Sequence, residues 1–143
     1  MTTLNTPLPT RGGRGWNIGL WAAQIALAAL YAMAAYMHGI MSPDALAQMG
    51  AVWVKSAPLA LVRFIGIMEF LGVLGVILPA LTRIKPSLTL WSAAGLLGIQ
   101  VLAIPFHMIR AEFAPLPFNL IYFALAAFVL WGRSRKAPIN ARP

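Results

Sequence analysis

Residues 59–81 read LALVRFIGIMEFLGVLGVILPAL, an apolar run that contains only two charged side chains, Arg63 and Glu69. A helix needs ~20 such residues to cross ~30 Å of hydrocarbon, because each residue advances ~1.5 Å. Three further apolar segments occupy residues 17–38, 88–108 and 117–132, of which the last is short. The sequence therefore predicts an all-α fold, an antiparallel bundle of four transmembrane helices.

Composition supports a membrane protein and excludes other classes. Apolar residues make up 60% of the chain and charged residues 10%, which leaves too little polar surface for a water-soluble domain. The net charge of +8 would suggest a nucleic-acid partner in a soluble protein, but here the basic residues flank apolar runs and contact lipid headgroups. The absence of cysteine excludes disulfides and thiolate metal sites. The expected partner is a lipid bilayer, with no nucleic acid.

The domain organisation follows from these segments. We expect a flexible cytoplasmic tail at residues 1–15, a four-helix membrane domain at 16–133, and a basic, mobile cytoplasmic tail at 134–143. Arg11 and Arg14 precede the first apolar segment, as they would in a cleavable signal peptide. That segment exceeds the usual ~7–15-residue signal core and three more spans follow it, so we expect it to stay.

Basic residues also predict the orientation. Loops on the cytoplasmic side retain Lys and Arg near the helix ends. Eight of the 11 basic residues fall on one side of the predicted bundle: Arg11, Arg14, Arg83, Lys85, Arg133, Arg135, Lys136 and Arg142. We therefore expect both termini in the cytoplasm and the protein in the inner membrane of a bacterium.

The long connection between the first two spans contains a helix signal of its own. Ser42 is a good N-cap, Pro43 suits the first helical position, and Asp44 suits the first turn. Apolar residues then follow at near-helical spacing: Leu46, Met49, Val52 and Trp53. This pattern predicts a short amphipathic helix that covers the outer end of the bundle.

Glu69 is the most informative side chain, because it lies about ten residues into the second span, near the membrane midplane. A carboxylate at that depth usually faces the bundle interior with a partner and is a candidate for handling protons. The alternative is a protonated carboxyl that only bonds two helices together. Arg63 either extends to the outer interface or turns inward to offer a charge to an anionic or carbonyl-bearing ligand.

Two histidines should lie at similar depth, because both of their helices run outward. His38 ends the first span and His107 lies near the end of the third. They predict either an acid/base pair beside a redox ligand or the axial ligands of a haem, although lone histidines near interfaces commonly satisfy local hydrogen bonds. We expect no haem and no metal site.

Other residues of the outer half complete the candidate site. Gln100 lies about two turns inward of His107, and Asn119 begins the fourth span; both can face the interior. Pro105 should bend the third helix between them. Glycines on the second and third spans favour close helix packing: Gly66, Gly72, Gly75, Gly95 and Gly98.

With these residues placed, the chain resembles the DoxX-like family of small four-helix membrane proteins. The resemblance rests on GIMEFLGVLGVILP at 66–79 and on the segment from Trp91 to Arg133, with its His, nearby Arg and Glu, and an Asn opening the last helix. Family members commonly end the first helix with Lys, where this chain has His38, and the usual Gly before it looks like Ala35. The resemblance implies a link to quinone-coupled oxidation of sulfur compounds and to membrane redox complexes.

Three functions remain open at this level. The leading hypothesis is a subunit of a membrane redox system that binds a quinone-like apolar ligand in the outer half. Glu69 and His107 would be catalytic, while Arg63, His38, Gln100 and Asn119 would bind the ligand. The alternatives are a non-catalytic subunit or scaffold that assembles with membrane partners or with copies of itself, and a small-solute transporter. Four short helices without detectable repeats argue against the transporter.

The predicted orientation can be tested by labelling. Cysteines introduced at Thr3 and Ser134 should resist an impermeant thiol reagent in intact cells, because both tails are expected in the cytoplasm. Permeabilised cells, in which both positions should react, are the control. Labelling of either tail from outside would overturn this orientation.

Overall fold

The computed structural model describes residues 13–143, and in that range the secondary structure is helical, with no strand. Four helices are long and apolar enough to cross a membrane, so the prediction of an all-α bundle is confirmed and the chain is a multi-pass membrane protein. The helices are α1 (Arg14–Ile40), α2 (Pro43–Gln48), α3 (Leu59–Thr82), α4 (Ser87–Ile109) and α5 (Leu116–Arg135), with a 3₁₀ turn at Val52–Lys55.

The four long helices form a ring in the order α1, α3, α4, α5, with α5 packed back on α1. Consecutive spans are antiparallel, and the connections from α3 to α4 and from α4 to α5 are short. We call the end that is covered by residues 41–58 the loop end. The opposite end, where α1 begins and α5 ends, is called the termini end.

Apolar side chains cover the outside of the bundle as well as its core. On α3, Phe64, Ile67 and Leu71 are each more than half exposed, while Val62 and Val76 are fully buried. A water-soluble bundle would present charged groups at the outer positions. This distribution fits a protein surrounded by hydrocarbon.

Polar side chains bond the helices together inside the bundle. The Tyr31 hydroxyl donates to the carbonyl of Leu96 at 2.7 Å and accepts from Nε2 of Gln100 at 2.8 Å, which ties α1 to α4. Nε2 of Gln24 donates to the carbonyl of Val76 at 2.8 Å and ties α1 to α3. Such bonds and close packing replace the hydrophobic driving force that helices lack in lipid.

The connection between α1 and α3 contains the predicted short helix. The Ser42 hydroxyl accepts from the amide of Ala45 at 3.2 Å, and Leu46 is fully buried. The helix ends at Gln48, however, and Gly50 adopts a φ of 100°, which favours glycine. The short helix therefore does not extend through the expected apolar positions: Met49 follows its end, and Val52 and Trp53 lie in the 3₁₀ turn.

Close approach of two helices explains part of the glycine pattern. A Cβ atom at Gly66 would lie 2.6 Å from the amide nitrogen of Gly39, so only glycine lets α3 approach the end of α1 so closely. Gly72 and Gly75 likewise face side chains of α4. The expectation is wrong for Gly95 and Gly98, because a Cβ atom on either would meet nothing within 4 Å among the described residues.

The two ends of the chain differ in what is described. Residues 1–12 of the expected N-terminal tail lie outside the described range, and α1 already begins at Arg14. After α5, Ala137 is buried, the amide of Arg142 donates to the carbonyl of Arg83 at 3.1 Å, and Nε of Arg83 donates to the carbonyl of Asn140 at 3.2 Å. The C-terminal segment thus packs across the connection between α3 and α4.

A matched pair of substitutions tests the helix contact. Gly66→Ala should lower the free energy of unfolding by about 1–2 kcal/mol, because a methyl group there meets the backbone of α1 and overpacks the contact. Gly95→Ala is the control and should have no destabilising effect, since its methyl group enters open space. The measurement is thermal unfolding of the purified protein in detergent. Equal melting temperatures for the two variants would contradict this packing.

Candidate ligand site at the loop end

The centre of the candidate site is a contact between His38 and Glu69. Nδ1 of His38, in the last turn of α1, lies 2.8 Å from Oε2 of Glu69 on α3. The Glu69 side chain is 4% exposed and the His38 side chain 18% exposed. The imidazole therefore connects a buried carboxylate to the edge of the bundle, and its Nε2 is the nitrogen left for another partner.

Arg63, on α3, bonds the same end of α1 as Glu69 does. Its Nη1 donates to the carbonyl of His38 at 2.7 Å, which satisfies one of the unpaired carbonyls at the end of α1. The side chain is half-buried, so the inward orientation considered for it is the one observed. Its charge therefore lies beside the His38 backbone, while the imidazole itself is held by Glu69.

Aromatic rings join the two histidines across the loop end. The Trp53 ring lies 5.8 Å from His38 and 6.0 Å from Phe106, and the Phe106 ring lies 5.4 Å from His107, all between ring centroids. Trp53 comes from the 3₁₀ turn and packs against the apolar cluster of Leu46. His38 and His107 thus face one aromatic wall but make no direct hydrogen bond to each other.

His107 belongs to a second polar cluster. Its Nδ1 lies 2.8 Å from Oε2 of Glu112, and Nε of Arg110 donates to Oε1 of the same carboxylate at 2.9 Å. Nη2 of Arg110 reaches the Ser56 hydroxyl at 3.3 Å. This cluster joins the end of α4 to the connection that covers the bundle. It shares no hydrogen bond with the His38–Glu69 contact.

Electrostatics within this cluster favour the ionised form of Glu112. Burial raises the pKa of its carboxyl, but the hydrogen bonds from His107 and Arg110 and the charge of Arg110 outweigh burial and hold the pKa below its usual value. Glu112 lies in the connection between α4 and α5, outside the spans. Its carboxylate is therefore a permanent partner for His107 at neutral pH.

The two amides singled out from the sequence both carry an unsatisfied atom. Gln100 is 4% exposed and its Nε2 bonds Tyr31, while its Oε1 is buried without a partner among the residues described. Nδ2 of Asn119 is also buried and unpartnered within residues 13–143. Such atoms usually have a partner in the native state, protein, water or ligand.

Sequence reasoning missed three contributors to this site. Tyr31 looked like one more aromatic residue of an apolar span, and only the fold brings its hydroxyl to Gln100. Trp53 is predicted as one apolar residue of the short amphipathic helix, and its place beside His38 depends on the break at Gly50. Glu112 was noted as polar, and its separation of five residues from His107 gave the one local signal of their contact.

The pKa of Glu112 predicts how stability depends on pH. Because the folded pKa is lowered, the contribution of Glu112 is complete above the ordinary value of about 4.3 and is lost as the pH falls through the folded pKa. Glu112→Gln should therefore lower the melting temperature at pH 7 and make a smaller difference below about pH 4. Asp44→Asn is the control and should change the melting temperature little at either pH, because the pair of Asp44 with Lys55 is exposed. An equal effect of Glu112→Gln at both pH values would refute this account.

Comparison with known proteins identifies the family. No curated protein and no solved structure has significant similarity to the chain. A family model, described as the DoxX-like family, matches residues 22–129, which include the whole loop end and both histidine clusters. The match covers most of the chain and confirms the resemblance found in the sequence. The chain therefore belongs to the DoxX-like family.

Proposed function

We propose that this protein is a subunit of a membrane redox system that binds a quinone-like apolar ligand at the loop end and exchanges protons with it. The observation that carries the proposal is the contact between His38 and Glu69, in which a buried carboxylate bonds an imidazole at the bundle edge. Such a carboxylate is costly in a membrane span and by default is a functional group.

The contact between His38 and Glu69 supports a separate role for each residue. In the proposal, Glu69 accepts a hydrogen bond from Nδ1–H of His38 and so fixes the ring orientation and tautomer, as a carboxylate does for a histidine in acid/base catalysis. Nε2 of His38 then gives or takes the proton at the ligand. Reduction of a quinone to a quinol takes up two electrons and two protons, and the electrons would come from a partner protein, since the chain has no cysteine to form a redox couple.

The surroundings fit a flat ligand with carbonyl groups. Trp53 and Phe106 provide an apolar aromatic wall between the two histidines. Arg63 offers a cationic donor beside His38. Such a ligand would approach the exposed edge of His38 from the bilayer, and the carbonyl groups of a quinone accept hydrogen bonds from groups of this kind.

His107, Gln100 and Asn119 support the ligand from α4 and α5 in this proposal. Glu112 holds His107 as Glu69 holds His38, so each histidine has one nitrogen fixed by a carboxylate. The unsatisfied Oε1 of Gln100 and Nδ2 of Asn119 are the buried polar atoms of this half that a ligand or an ordered water would bond. That a ligand bonds these two atoms is part of the proposal.

Assembly with a partner protein is the second candidate function. Gly66, Gly72 and Gly75 are used in contacts within the chain, whereas Gly95 and Gly98 on α4 face open space. Small residues of this kind let another helix approach closely in lipid. The cytoplasmic position of both termini and the inner membrane of a bacterium are part of the proposal, and they rest on the distribution of basic residues.

Quinone that co-purifies with the protein tests the proposal. Protein purified from native membranes in mild detergent should yield near-stoichiometric quinone on solvent extraction and chromatography. His38→Phe keeps an aromatic ring but removes Nε2, and it should lower quinone retention about tenfold, since one lost hydrogen bond to the ligand is worth ~1–1.5 kcal/mol. Glu69→Gln keeps size and hydrogen-bonding capacity, so folding should survive while retention falls.

The control is Tyr122→Phe, which removes a bond to the carbonyl of Leu30 without touching His38 or Glu69. It should keep its quinone, and the melting temperatures of all variants are measured alongside. A Glu69→Gln variant with full stability and full quinone retention would reduce Glu69 to a packing residue. Wild-type protein without quinone but with a stoichiometric membrane protein would favour assembly instead.

A further inference from the structure

Arg133, near the end of α5, is a buried cation without an anion. It is 3% exposed, and its Nε and Nη1 donate to Oε1 of Gln24 at 2.6 Å and Oδ1 of Asn17 at 2.7 Å. Nη1 also reaches the carbonyl of Ala137 at 3.2 Å. All of these partners are neutral, and a guanidinium stays charged.

The charge of Arg133 has no acidic partner in the protein. The sequence contains three acidic residues. Asp44 pairs with Lys55, Glu69 with His38, and Glu112 with His107 and Arg110, all toward the loop end. The guanidinium also lies 5.3 Å from the ring centroid of Trp21, but a buried charge without a counterion is costly, and none of the three acidic side chains supplies one.

A cavity at the termini end adjoins this cation. Its volume is about 260 Å³, and Arg133 and Thr89 are its buried polar lining residues. Nη2 of Arg133 and Oγ1 of Thr89 are both buried without a hydrogen-bond partner in residues 13–143. A helical threonine can bond a carbonyl of its preceding turn, as Thr82 does with Leu78 at 2.7 Å, but Thr89 is the third residue of α4 and makes no such bond.

The surroundings of the cavity are positive and otherwise apolar. Thr89 lies in the first turn of α4, where the amide dipoles place partial positive charge. The C-terminal segment closes the cavity with Pro138 and Ile139. An anion with hydrogen-bond acceptors, such as a phosphate group, suits this combination of donors and charge.

A second cavity extends the first along the outside of the bundle. It measures about 290 Å³, is lined by Trp91, Ala94 and Leu130, and shares Ser87 and Leu90 with the first cavity. Trp91 is 74% exposed, and Trp16 and Trp131 lie at the same end, as expected of a belt at the membrane interface. Lipid phosphates lie at that depth, with their acyl chains toward the hydrocarbon.

We propose that the first cavity binds the phosphate group of an anionic phospholipid, with Arg133 and Thr89 as donors, and that the second takes the start of an acyl chain. The site lies at the opposite end from His38 and Glu69, so it stands independently of the proposed function. It gives Arg133 the anion that the protein does not supply.

Native mass spectrometry of the full chain, delipidated in detergent, tests the proposal with phosphatidylglycerol, phosphatidylcholine and inorganic phosphate as probes. The wild type should bind phosphatidylglycerol more tightly than phosphatidylcholine, and inorganic phosphate at the same concentration should neither bind nor compete. Thr89→Val keeps the side-chain shape, loses the hydroxyl, and should weaken phosphatidylglycerol binding about tenfold. Arg133→Gln should weaken it at least as much.

Two controls separate this site from general attraction to charge. Arg135→Gln removes an exposed positive charge two residues away and should leave binding unchanged. Thr82→Val removes a hydroxyl that bonds Leu78 and the amide of Ile84 but does not line the cavity, and it should also leave phosphatidylglycerol binding unchanged. If Arg133→Gln fails to fold, Thr89→Val decides alone. Wild-type affinity in Thr89→Val, an equal loss in Arg135→Gln, or binding of free phosphate without lipid would each overturn the proposal.

Discussion

Hydrocarbon offers no hydrogen bonds, and this constraint organises the whole bundle. A polar side chain within a span needs a partner in the protein or in a bound molecule, because an unsatisfied group in lipid costs several kcal/mol. Gln24 and Tyr31 bond backbone carbonyls of neighbouring helices, and Gln100 bonds the Tyr31 hydroxyl through Nε2 while its Oε1 has no partner among the described residues. The same bonds hold the helices in register, since apolar contacts gain little over contacts with lipid. The packing of the helices therefore depends on where the polar groups lie.

Charge is unevenly divided between the two ends. The carboxylates lie toward the loop end, where His38 bonds Glu69 and His107 bonds Glu112. At the termini end, Arg133 is surrounded by neutral hydrogen-bond partners. The loop end therefore offers groups that can exchange protons, and the termini end offers a fixed positive charge. The two ligand proposals rest on this difference. The family match covers residues 22–129 and so includes the first end, but it stops before Arg133.

The fold was predictable because it depends on length and polarity. Four apolar runs and the Ser42–Pro43 signal are properties of local sequence, and they gave the spans and the short helix. Contacts between helices were harder to predict from the sequence. The inward position of Glu69 followed from its depth, but its pairing with His38 depends on how closely α1 and α3 approach at Gly66 and Gly39. Arg133 was read only as a topology signal, because its burial requires Asn17, Gln24 and Ala137 to converge from distant positions in the chain.

The C-terminal segment has a practical consequence for preparing this protein. Ala137 is buried against the end of α5, and the backbone of Arg142 and Asn140 bonds Arg83 in the turn between α3 and α4. Residues beyond α5 look dispensable in the sequence, and tags or fluorescent fusions are commonly attached at such positions. A truncation at Lys136 would remove the wall formed by Pro138 and Ile139 and open the buried guanidinium to water. Expression vectors for this chain should therefore retain residues 137–143 and place a flexible linker after them.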